Sequence, residues 1–530
     1  MGTKNYSSYS DMITFSRASS GTALAKISYG AELVTVTTPD FLQNATASGL
    51  TVTSDGTIPC RSSFTLSNLT IGSIYLVTCE VTNTTSVFWD DAPTLAGSVQ
   101  TIINESANNY IVASATTMYL GFKEFSPSLG QEFVFSNVSV RKILFDQPDG
   151  TLQLFNHPAN QPRVEYDYQG NRLGLLVEQP RTNVVTYSTI TNANWTKYAT
   201  TITDNAVVAP DGTQTAAKII STQSGKGTCY LPGTPTGAYV DSFYAKAGTS
   251  NFFFIESPST APGVYFDLAN GTVATITAGQ TATIQYVGNG WFRCSVYATR
   301  THGNISCGFS DADNNPNQAN GNYGYVWGAQ AELGSFPTSY IPTAGSTVTR
   351  AADVASIGVG AFGYNVKAGT IVYEAHQAVL ATGGLQSGAF DLTKSGHLER
   401  VYSFYDVSKH LFVRNAVSVS ADLDAGDVSA GSAHKIGGGF KKDNFGAVID
   451  GGTVVTDTLG DMPVAATNLF IGSLDAGQFP LNGHISSIAY YPRRLTDAQI
   501  KALTSPPETP TLSLTFDDSS TSYLETSIHG

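Results

Sequence analysis

The chain has 530 residues, and 41 acidic against 28 basic side chains give it a formal net charge of −13. Only 13% of the residues are charged, about half of the roughly 25% that is usual for a soluble domain. Because 41% of the residues are hydrophobic and 11% are aromatic, the composition excludes a disordered acidic chain. The abundance of Ser, Thr, Asn and Gly suits solvated strand faces and turns. It disfavours a helical protein, a coiled coil and a polybasic nucleic-acid-binding protein.

Alternation of apolar and polar residues predicts β-strands along much of the chain. Residues 74–82 (IYLVTCEVT) are the clearest case, and residues 290–298 and 370–375 follow the same period of two. Dipeptides typical of tight hairpin turns begin at Asn289 and Asp450, each followed by Gly. We therefore predict an all-β protein built of tandem antiparallel β-sandwiches.

One short C-terminal helix is predicted within residues 495–504 (LTDAQIKALT). Thr496 fits the N-cap of this helix and Gln499 fits its third position, which is the pattern of a capping box. No second helix is predicted.

A proline-rich linker, residues 505–510 (SPPETP), follows the helix and is expected to be stiff. It leads to a short apolar segment, residues 512–516, that has the alternation of a strand. Two interpretations remain open for this segment. It adds to the edge of another sheet, in this chain or in a partner, or it closes its own domain.

The cysteines and the N-terminus indicate how the protein is made. Five cysteines are too few and too scattered for a disulfide framework, and no C-x-x-C pair is present. The first residues lack the apolar core of a secretory signal, and no run reaches the roughly 18 apolar residues of a membrane span. We expect synthesis in a cytoplasm, buried cysteines, no disulfides and no membrane insertion.

Motifs of common catalytic sites, such as G-x-S-x-G, H-E-x-x-H and the phosphate-binding glycine loops, do not occur in the sequence. Adjacent acids occur at residues 90–91 and 517–518, but a glycosidase needs two carboxyl groups held about 5–10 Å apart across a cleft. The sequence therefore predicts a protein that is not an enzyme and that needs no cofactor, unless it binds calcium.

Calcium is suggested by an oxygen-rich D-x-D-x-N pattern at Asp311, Asp313 and Asn315. However, Pro316 stands where a calcium-binding EF-hand loop needs glycine. Two interpretations remain open, a calcium site and a polar hairpin tip.

Two aromatic clusters are candidate carbohydrate-binding sites, because sugar rings stack on exposed aromatic side chains and neighbouring polar groups bond their hydroxyls. In the first, Trp89 stands beside Asp90 and Asp91. In the second, Tyr323 and Tyr325 lie on a Gly-rich loop, residues 320–325 (NGNYGY). The alternative for the aromatic residues is burial in a sandwich core.

Three segments together resemble a pattern found in bacteriophage virion proteins that are described as head or tail fibres, spikes or tail-associated adhesins. They are residues 13–22 (ITFSRASSGT), 160–185 (NQPRVEYDYQGNRLGLLVEQPRTNVV) and 325–354 (YVWGAQAELGSFPTSYIPTAGSTVTRAADV). In relatives the first segment runs almost directly into the second. Here a whole strand-rich block lies between them, so we interpret that block as an inserted domain.

Two further resemblances concern the fold. Residues 133–143 (FVFSNVSVRKI) resemble the last strand of a jelly-roll carbohydrate-binding module. Residues 469–503 resemble the closing strands and helix of a laminin-G or concanavalin-like sandwich. Because such sandwiches serve as lectins, enzymes and purely structural modules, this resemblance indicates architecture and not function.

Together these observations predict six segments. They are an N-terminal segment with a virion-docking arm (1–39), an inserted jelly-roll sandwich (40–145), a connector that carries the GLLVEQPRTN motif (146–184), a second jelly-roll sandwich of carbohydrate-binding type (185–345), a laminin-G-like or concanavalin-like sandwich (346–505), and a proline linker with a C-terminal strand (506–530).

The resemblance implies a non-enzymatic phage fibre or spike protein that binds host-surface glycans during adsorption. The alternative is a head-decoration, collar or tail structural protein whose sandwiches contact other virion proteins. A polysaccharide-degrading enzyme is a third class, but the stacked repeats of a β-helix are missing. The expected location is the virion. The expected partners are other virion proteins, host-surface polysaccharide and further copies of the chain, as a trimer by analogy with fibres, but no nucleic acid.

Overall fold

A computed structural model describes residues 13–506 of the protein, except for positions 36, 85–86, 96–99, 104–108, 257–262, 302, 378–386, 395–398, 406–410, 415–418, 464–465 and 476. Nearly all regular structure in these residues is β-strand, arranged in several antiparallel sheets with one short helix near the C-terminal end. The predicted all-β class is therefore confirmed. The first twelve residues of the predicted N-terminal segment (1–39), where the docking arm would begin, and the predicted strand at 512–516 lie outside the described residues.

The strands are numbered in chain order. The first part of the chain contains β1 (Thr14–Ser16), β2 (Gly21–Glu32), β3 (Phe41–Gln43), β4 (Ala45–Ser48), β5 (Thr51–Ser54), β6 (Cys60–Leu66), β7 (Ile74–Val81), β8 (Val87–Asp90), β9 (Gln100–Ile103), β10 (Asn109–Val112), β11 (Met118–Glu124), β12 (Glu132–Phe145), β13 (Thr151–His157), β14 (Val164–Tyr166), β15 (Arg172–Val177) and β16 (Arg181–Asn183).

The middle part contains β17 (Thr196–Tyr198), β18 (Thr200–Val207), β19 (Ala216–Ser221), β20 (Gly225–Lys226), β21 (Thr228–Pro232), β22 (Gly237–Ala247), β23 (Phe252–Glu256), β24 (Val264–Asp267), β25 (Thr272–Val273), β26 (Thr281–Gly288), β27 (Trp291–Arg300), β28 (Asn304–Ser310), β29 (Asn317–Gln318), β30 (Tyr323–Leu333) and β31 (Val348–Arg350).

The last part contains β32 (Val354–Gly358), a 3-10 turn (Val359–Ala361), β33 (Ala368–His376), β34 (Gly388–Thr393), β35 (Arg400–Phe404), β36 (Leu411–Arg414), β37 (Val419–Leu423), β38 (Ala433–Lys441), β39 (Phe445–Ile449), β40 (Val455–Asp457), β41 (Asn468–Ile471), β42 (Gly483–Tyr491) and the helix α1 (Asp497–Thr504).

The first sandwich packs a sheet of order β10-β7-β12-β2-β13, extended by β4 and β5, against a sheet of order β3-β6-β11-β8-β9. Along β7 the side chains alternate as predicted, since Tyr75, Val77, Cys79 and Val81 are buried in the shared core while the residues between them are partly exposed. The strand β2 runs through the middle of the larger sheet. The first sandwich therefore includes residues that were predicted to belong to the N-terminal segment (1–39).

The second sandwich has sheets of order β17-β21-β28-β23-β24-β25 and β18-β19-β30-β22-β27-β26. Its core is an apolar cluster to which both sheets contribute, for example Phe243 and Phe253. The hairpin between β26 and β27 turns at Asn289 and Gly290, which both have positive φ values as the dipeptide predicted.

The third sandwich has sheets of order β1-β32-β41-β34-β35-β36-β37 and β14-β15-β42-β33-β38-β39-β40. Three strands of these sheets, β1, β14 and β15, come from distant parts of the sequence. Thr14 of β1 pairs with Ser356, and Leu175 of β15 pairs with Ile485. The structure thus corrects the predicted boundaries, because parts of segments 1–39 and 146–184 are strands of the C-terminal sandwich and not arm or connector.

The helix α1 lies on the outer face of β38 and β39. Thr496 caps it, and the reciprocal bond from Gln499 completes the predicted capping box. Ile500 is fully buried where β38 carries glycine, and a Cβ atom at Gly437 would lie 2.5 Å from an Ile500 methyl group. The missing side chain is therefore what lets the helix approach the sheet.

We predict that Thr496→Ala weakens the attachment of α1 by about 1 kcal/mol, because it removes the side-chain acceptor for an otherwise unsatisfied helix amide. Hydrogen exchange of the helix amides measures this as faster exchange confined to α1. Lys501→Ala, an exposed change in the same helix, is the control. Equal protection in Thr496→Ala and the wild-type protein would contradict the assigned cap.

Candidate functional site

The first predicted glycan-binding cluster lies inside the first sandwich. Trp89 on β8 is fully buried, and its ring stacks on that of Tyr75 with centroids 6.5 Å apart. Asp90 is also fully buried and accepts a hydrogen bond from the amide of Ala92, while Asp91 is half-buried. The alternation along β8 directs Trp89 into the core. A ring with no exposed face cannot stack on a sugar, so the structure offers no carbohydrate site at Trp89.

The predicted calcium ligands do not converge. Asp311 accepts hydrogen bonds at the start of the segment, whereas both Asp313 oxygens accept from Thr275 at 2.9 and 3.0 Å, on a different loop. The Asn315 side chain accepts from the amide of Asn317. The three side chains thus bond separate donors, as expected of a polar hairpin tip, and the calcium interpretation is not retained. Across the described ranges, no group of three His, Cys, Asp or Glu side chains is placed to hold a metal ion.

The second predicted cluster is at the surface. Tyr323 and Tyr325 lie on the same face of β30, with ring centroids 5.6 Å apart and ring planes at 75°. On the neighbouring strand β19, Lys218 is directly opposite Tyr325, and its ammonium nitrogen lies 3.7 Å from the centroid of the Tyr323 ring. All three side chains are partly exposed. We call these three residues the Tyr–Lys patch.

The position of the patch follows from the pattern of β30. Alternate residues of this strand, such as Val326, are buried in the core between the sheets, so the tyrosines face outward. Further along the same outer face, Trp327 is buried together with Leu154 of β13. The first sandwich therefore covers the Trp327 end of this aromatic row and leaves the Tyr323 end accessible.

Beside the patch, Asp311 organises a polar network. Its carboxylate accepts hydrogen bonds from the Ser250 hydroxyl at 2.6 Å, the Ala319 amide at 2.7 Å and the Asn322 side chain at 3.0 Å. Burial would raise the pKa of Asp311, but these bonds outweigh it and hold the pKa below its ordinary value. Asn322 directly precedes Tyr323, so the network fixes the start of β30. We call Asp311 and its three donors the Asp311 network.

A second group of charged residues was not predicted as a site. It is a buried charge cluster of three arginines and two acids, and each side chain is at most 7% exposed. Its members are Arg17, Arg163, Glu178, Arg350 and Asp353. One of them comes from segment 13–22, two from 160–185 and two from 325–354. The three segments of the phage-protein resemblance therefore meet at one point in the interior.

The contacts of this cluster run through its two carboxylates. Asp353 binds Arg17 at 3.0 Å and also contacts Arg163. Glu178 lies 2.9 Å from Arg163 and 3.5 Å from Arg350. Asp353 also lies 3.9 Å from Arg350. Each carboxylate thus bridges arginines from different parts of the chain.

Main-chain and hydroxyl groups complete the cluster. Arginine side chains donate to the carbonyl oxygens of Thr22, His157, Pro158 and Gln179. The Ser339 hydroxyl donates to Glu178 at 2.6 Å. The cluster therefore ties the backbone of the first sandwich to the segment that leads into the third.

Burial alone would raise the pKa of Glu178. Arg350, Arg163 and the hydrogen bonds of Ser339 reverse this effect and bring the pKa far below the usual range of a carboxyl group. At His157, burial first and then the charges of Arg163 and Arg17 lower the pKa well below its ordinary value, so the ring is neutral in the folded protein.

The signal that could have indicated this cluster was present in the sequence. Charged residues make up only 13% of the chain, yet each of the three resembling segments contains arginine, and two of them also contain acids. In a chain so poor in charge, such charges point to specific pairing. Their partners, however, are too distant in sequence to be assigned from spacing. All five cysteines are buried, as expected. No described helix is long and apolar enough to cross a membrane.

No family model matches the chain, and no curated protein sequence matches it. Solved structures of Trypanosoma rangeli sialidase do match it. One, in complex with the inhibitor DANA, is 12% identical with a TM-score of 0.22, and the match covers 87% of this chain and 84% of that one. Another, in complex with a difluorinated nononic acid, is 11% identical with a TM-score of 0.22 and coverages of 87% and 83%. The structure titled as the sialidase alone is 12% identical with a TM-score of 0.21 and the same coverages.

These matches bear on one prediction. The expectation that the chain is not an enzyme is contradicted, because the matching structures are those of an enzyme, a sialidase, and we withdraw it. TM-scores of 0.21 and 0.22 do not support a shared fold or a shared activity. Neither catalysis nor its absence is therefore ascribed to the chain.

We predict that Asp353→Asn destabilises the protein by about 3–5 kcal/mol, because it leaves the buried Arg17 without its counter-charge and Arg163 with Glu178 alone. Urea unfolding measures the loss. The control is Asp461→Asn, which breaks the exposed pair of Lys442 and Asp461 and should not change stability measurably. Equal stability of Asp353→Asn and Asp461→Asn would show that the buried cluster does not hold the domains together.

Acid should destabilise the protein through His157. Its pKa is near 6.5 in the unfolded chain and well below that value in the folded protein, so the unfolded state takes up the proton first. Its contribution to stability is complete above about pH 6.5 and falls as the pH decreases, by at most about 1.4 kcal/mol per pH unit.

His157→Phe should remove this dependence, because the ring packs against Phe145 and Phe155 without using its charge. Unfolding free energies of wild-type and variant protein, measured from pH 7.5 to 5, give the difference. Parallel curves would mean that His157 is not buried as a neutral ring.

Proposed function

We propose that the protein is a bacteriophage fibre or spike protein that binds host-surface glycans, and that the Tyr–Lys patch is the binding surface. The observation that carries the proposal is the pair of partly exposed tyrosines on the outer face of β30, joined by Lys218 and bordered by the Asp311 network. The resemblance of the three segments to phage virion proteins supports the assignment to a virion.

The chemistry of the patch suits a sugar. Tyr323 and Tyr325 present apolar ring surface together with phenolic hydroxyl groups, so they can contact both the C–H face and the hydroxyls of a sugar ring. Asn322 is held in place by Asp311, which also accepts a hydrogen bond from the buried Ser250. A ligand therefore meets an Asn322 side chain whose orientation is fixed before it binds.

The patch is small, so a single copy is expected to bind weakly. Several copies on one particle would engage a repetitive polysaccharide at the same time. Linked weak sites can exceed the single-site affinity by about 10²–10⁴. This is the expected mode of action of an adsorption protein that carries one modest site per chain.

A second candidate function is that of a decoration, collar or tail structural protein that contacts other virion proteins. One observation favours it. The segments that resemble phage proteins meet in the buried charge cluster, which has no exposed surface for a glycan. The sequence pattern that these segments share with phage proteins is therefore consistent with a common junction between domains as well as with a common ligand.

We predict that Tyr323→Ala and Tyr325→Ala each weaken binding to purified host-surface polysaccharide by roughly 2- to 10-fold per site, and by more on multivalent surfaces. Glycan arrays followed by calorimetry on the best ligand measure the effect. Tyr198→Ala is the matched control, because Tyr198 is an exposed tyrosine of the same sandwich but of the opposite sheet.

Equal losses in all three variants would indicate non-specific adsorption. Absence of binding to any host glycan or host cell by the wild-type protein would favour the structural candidate. The structural candidate is tested by locating the protein in the intact virion. A decoration protein would have its sandwich loops buried against neighbouring virion proteins.

A further inference from the structure

An unfilled strand position exists in the third sandwich. The strand β42 pairs with β33 along nearly its whole length, from His484 to Tyr491. On its other side it pairs with β15 only from Gly483 to Ile485. In the part of the chain that the structure describes, no strand lies beside residues 487–491 on that side. The main chain there is an open edge about five residues long.

The reason for the gap is the course of β15. At Gly174 this strand has a φ of +120°, and a Cβ atom there would lie 2.2 Å from the carbonyl oxygen of Ile485. The glycine lets β15 approach β42 closely and then diverge toward β14. Residues 487–491 of β42 therefore have an unpaired side although β42 is an interior strand of the sheet.

An apolar cavity of about 980 Å³ adjoins this edge. Both sheets of the third sandwich contribute isoleucines to its walls, namely Ile357 and Ile471 from one sheet and Ile485 and Ile488 from the other. The turn before β7 supplies Ile71, which is 61% exposed, at the rim. Open strand edges next to apolar pockets are where an extended peptide can add as an extra strand.

The chain contains a segment with the matching pattern. Residues 511–516 (TLSLTF) alternate polar and apolar side chains and lie in the C-terminal residues beyond Pro506 that the structure does not describe. If the segment paired with β42, Leu512, Leu514 and Phe516 would share one face and reach the isoleucines of the cavity. Thr511, Ser513 and Thr515 would share the other face.

The place where the described chain ends favours another copy as the acceptor. The last helical residue, Thr504, accepts a hydrogen bond from the amide of Gly451 at the hairpin that follows β39. From β39 to β42 the sheet crosses β38 and β33, about 14 Å at the usual strand spacing. The linker at 505–510 contains three prolines, and a proline-rich sequence is poorly suited to fold back across its own sheet.

We propose that residues 511–516 of one copy add as a strand to the open edge of β42 in a second copy, with their apolar side chains in the adjoining cavity. Such a contact joins two different surfaces of identical chains. It therefore propagates from copy to copy and closes into a ring where the rotation allows. This inference does not depend on the proposed glycan site.

The first test is the mass of the protein in solution. Light scattering after size exclusion should give a multiple of 56.0 kDa for the full chain and the mass of one chain for the double variant Leu512→Asp/Leu514→Asp. Leu524→Asp, a change of the same kind further along the tail, is the matched control and should leave the assembly intact. A monomeric full chain, or an assembly unaffected by the double variant, would overturn the proposal.

The second test identifies the contact by disulfide trapping, which the five buried native cysteines should not disturb. Ser487 and Ala489 on β42 are exposed, so Ser487→Cys and Ala489→Cys sample two neighbouring registers. One tagged chain carries either change, and a second, differently tagged chain carries Ser513→Cys. After co-expression and mild oxidation we expect a covalent dimer that contains both tags.

Asp461→Cys, at an exposed position on another part of the sandwich, replaces the β42 cysteine in the control and should give no dimer. Absence of cross-linking with both β42 positions would overturn the proposal. A further experiment uses one chain that carries both a β42 cysteine and Ser513→Cys. If this chain forms only an internal disulfide, the proposal is overturned, because the tail then fills the gap of its own sandwich.

Discussion

The architecture depends on one electrostatic interaction, the pairing of three buried arginines with two buried carboxylates where the sandwiches meet. Charges removed from water are strongly destabilising unless they are paired and hydrogen-bonded. Here Asp353 contacts three arginines and Glu178 contacts two, and main-chain carbonyl oxygens accept further guanidinium protons. These requirements can be met only when three distant parts of the chain are in place together. The cluster therefore specifies how the domains join more sharply than an apolar contact would.

The packing of the sandwiches against one another also explains why one part of the outer face of the second sandwich is accessible and another part is covered. Strand β13 of the first sandwich covers the outer face of β30 at Trp327. It leaves Tyr323 uncovered at the other end of the row. The accessible aromatic surface is thus a consequence of domain packing, because the alternation along β30 would by itself expose Trp327 as well.

Local patterns in the sequence were sufficient for the strands, the hairpin at Asn289 and the capped helix, since each depends on residues close together in the chain. For Tyr323 and Tyr325 they left exposure and burial open, and they predicted a loop where the structure has the strand β30. They were insufficient for Trp89, because an alternating strand does not reveal which of its faces meets the second sheet. They also could not reveal that β1 and β15 belong to the C-terminal sandwich. Each of these two strands forms only three residue pairs with the C-terminal sandwich, and the partner residues are more than 300 positions away in the sequence.

This exchange of strands has a consequence for synthesis on the ribosome. Residues 14–16 emerge early but find their partners in β32 only after residue 356 has been made. Contacts of such long range are slow to form, because a large loop must close before they become stabilising. The final sandwich and the charge cluster can be completed only late in translation, after the two preceding sandwiches have had time to form. A fragment that begins at residue 346 would lack β1, β14 and β15, so the C-terminal sandwich is not a self-contained module that can be moved to another protein by cutting at its apparent boundary.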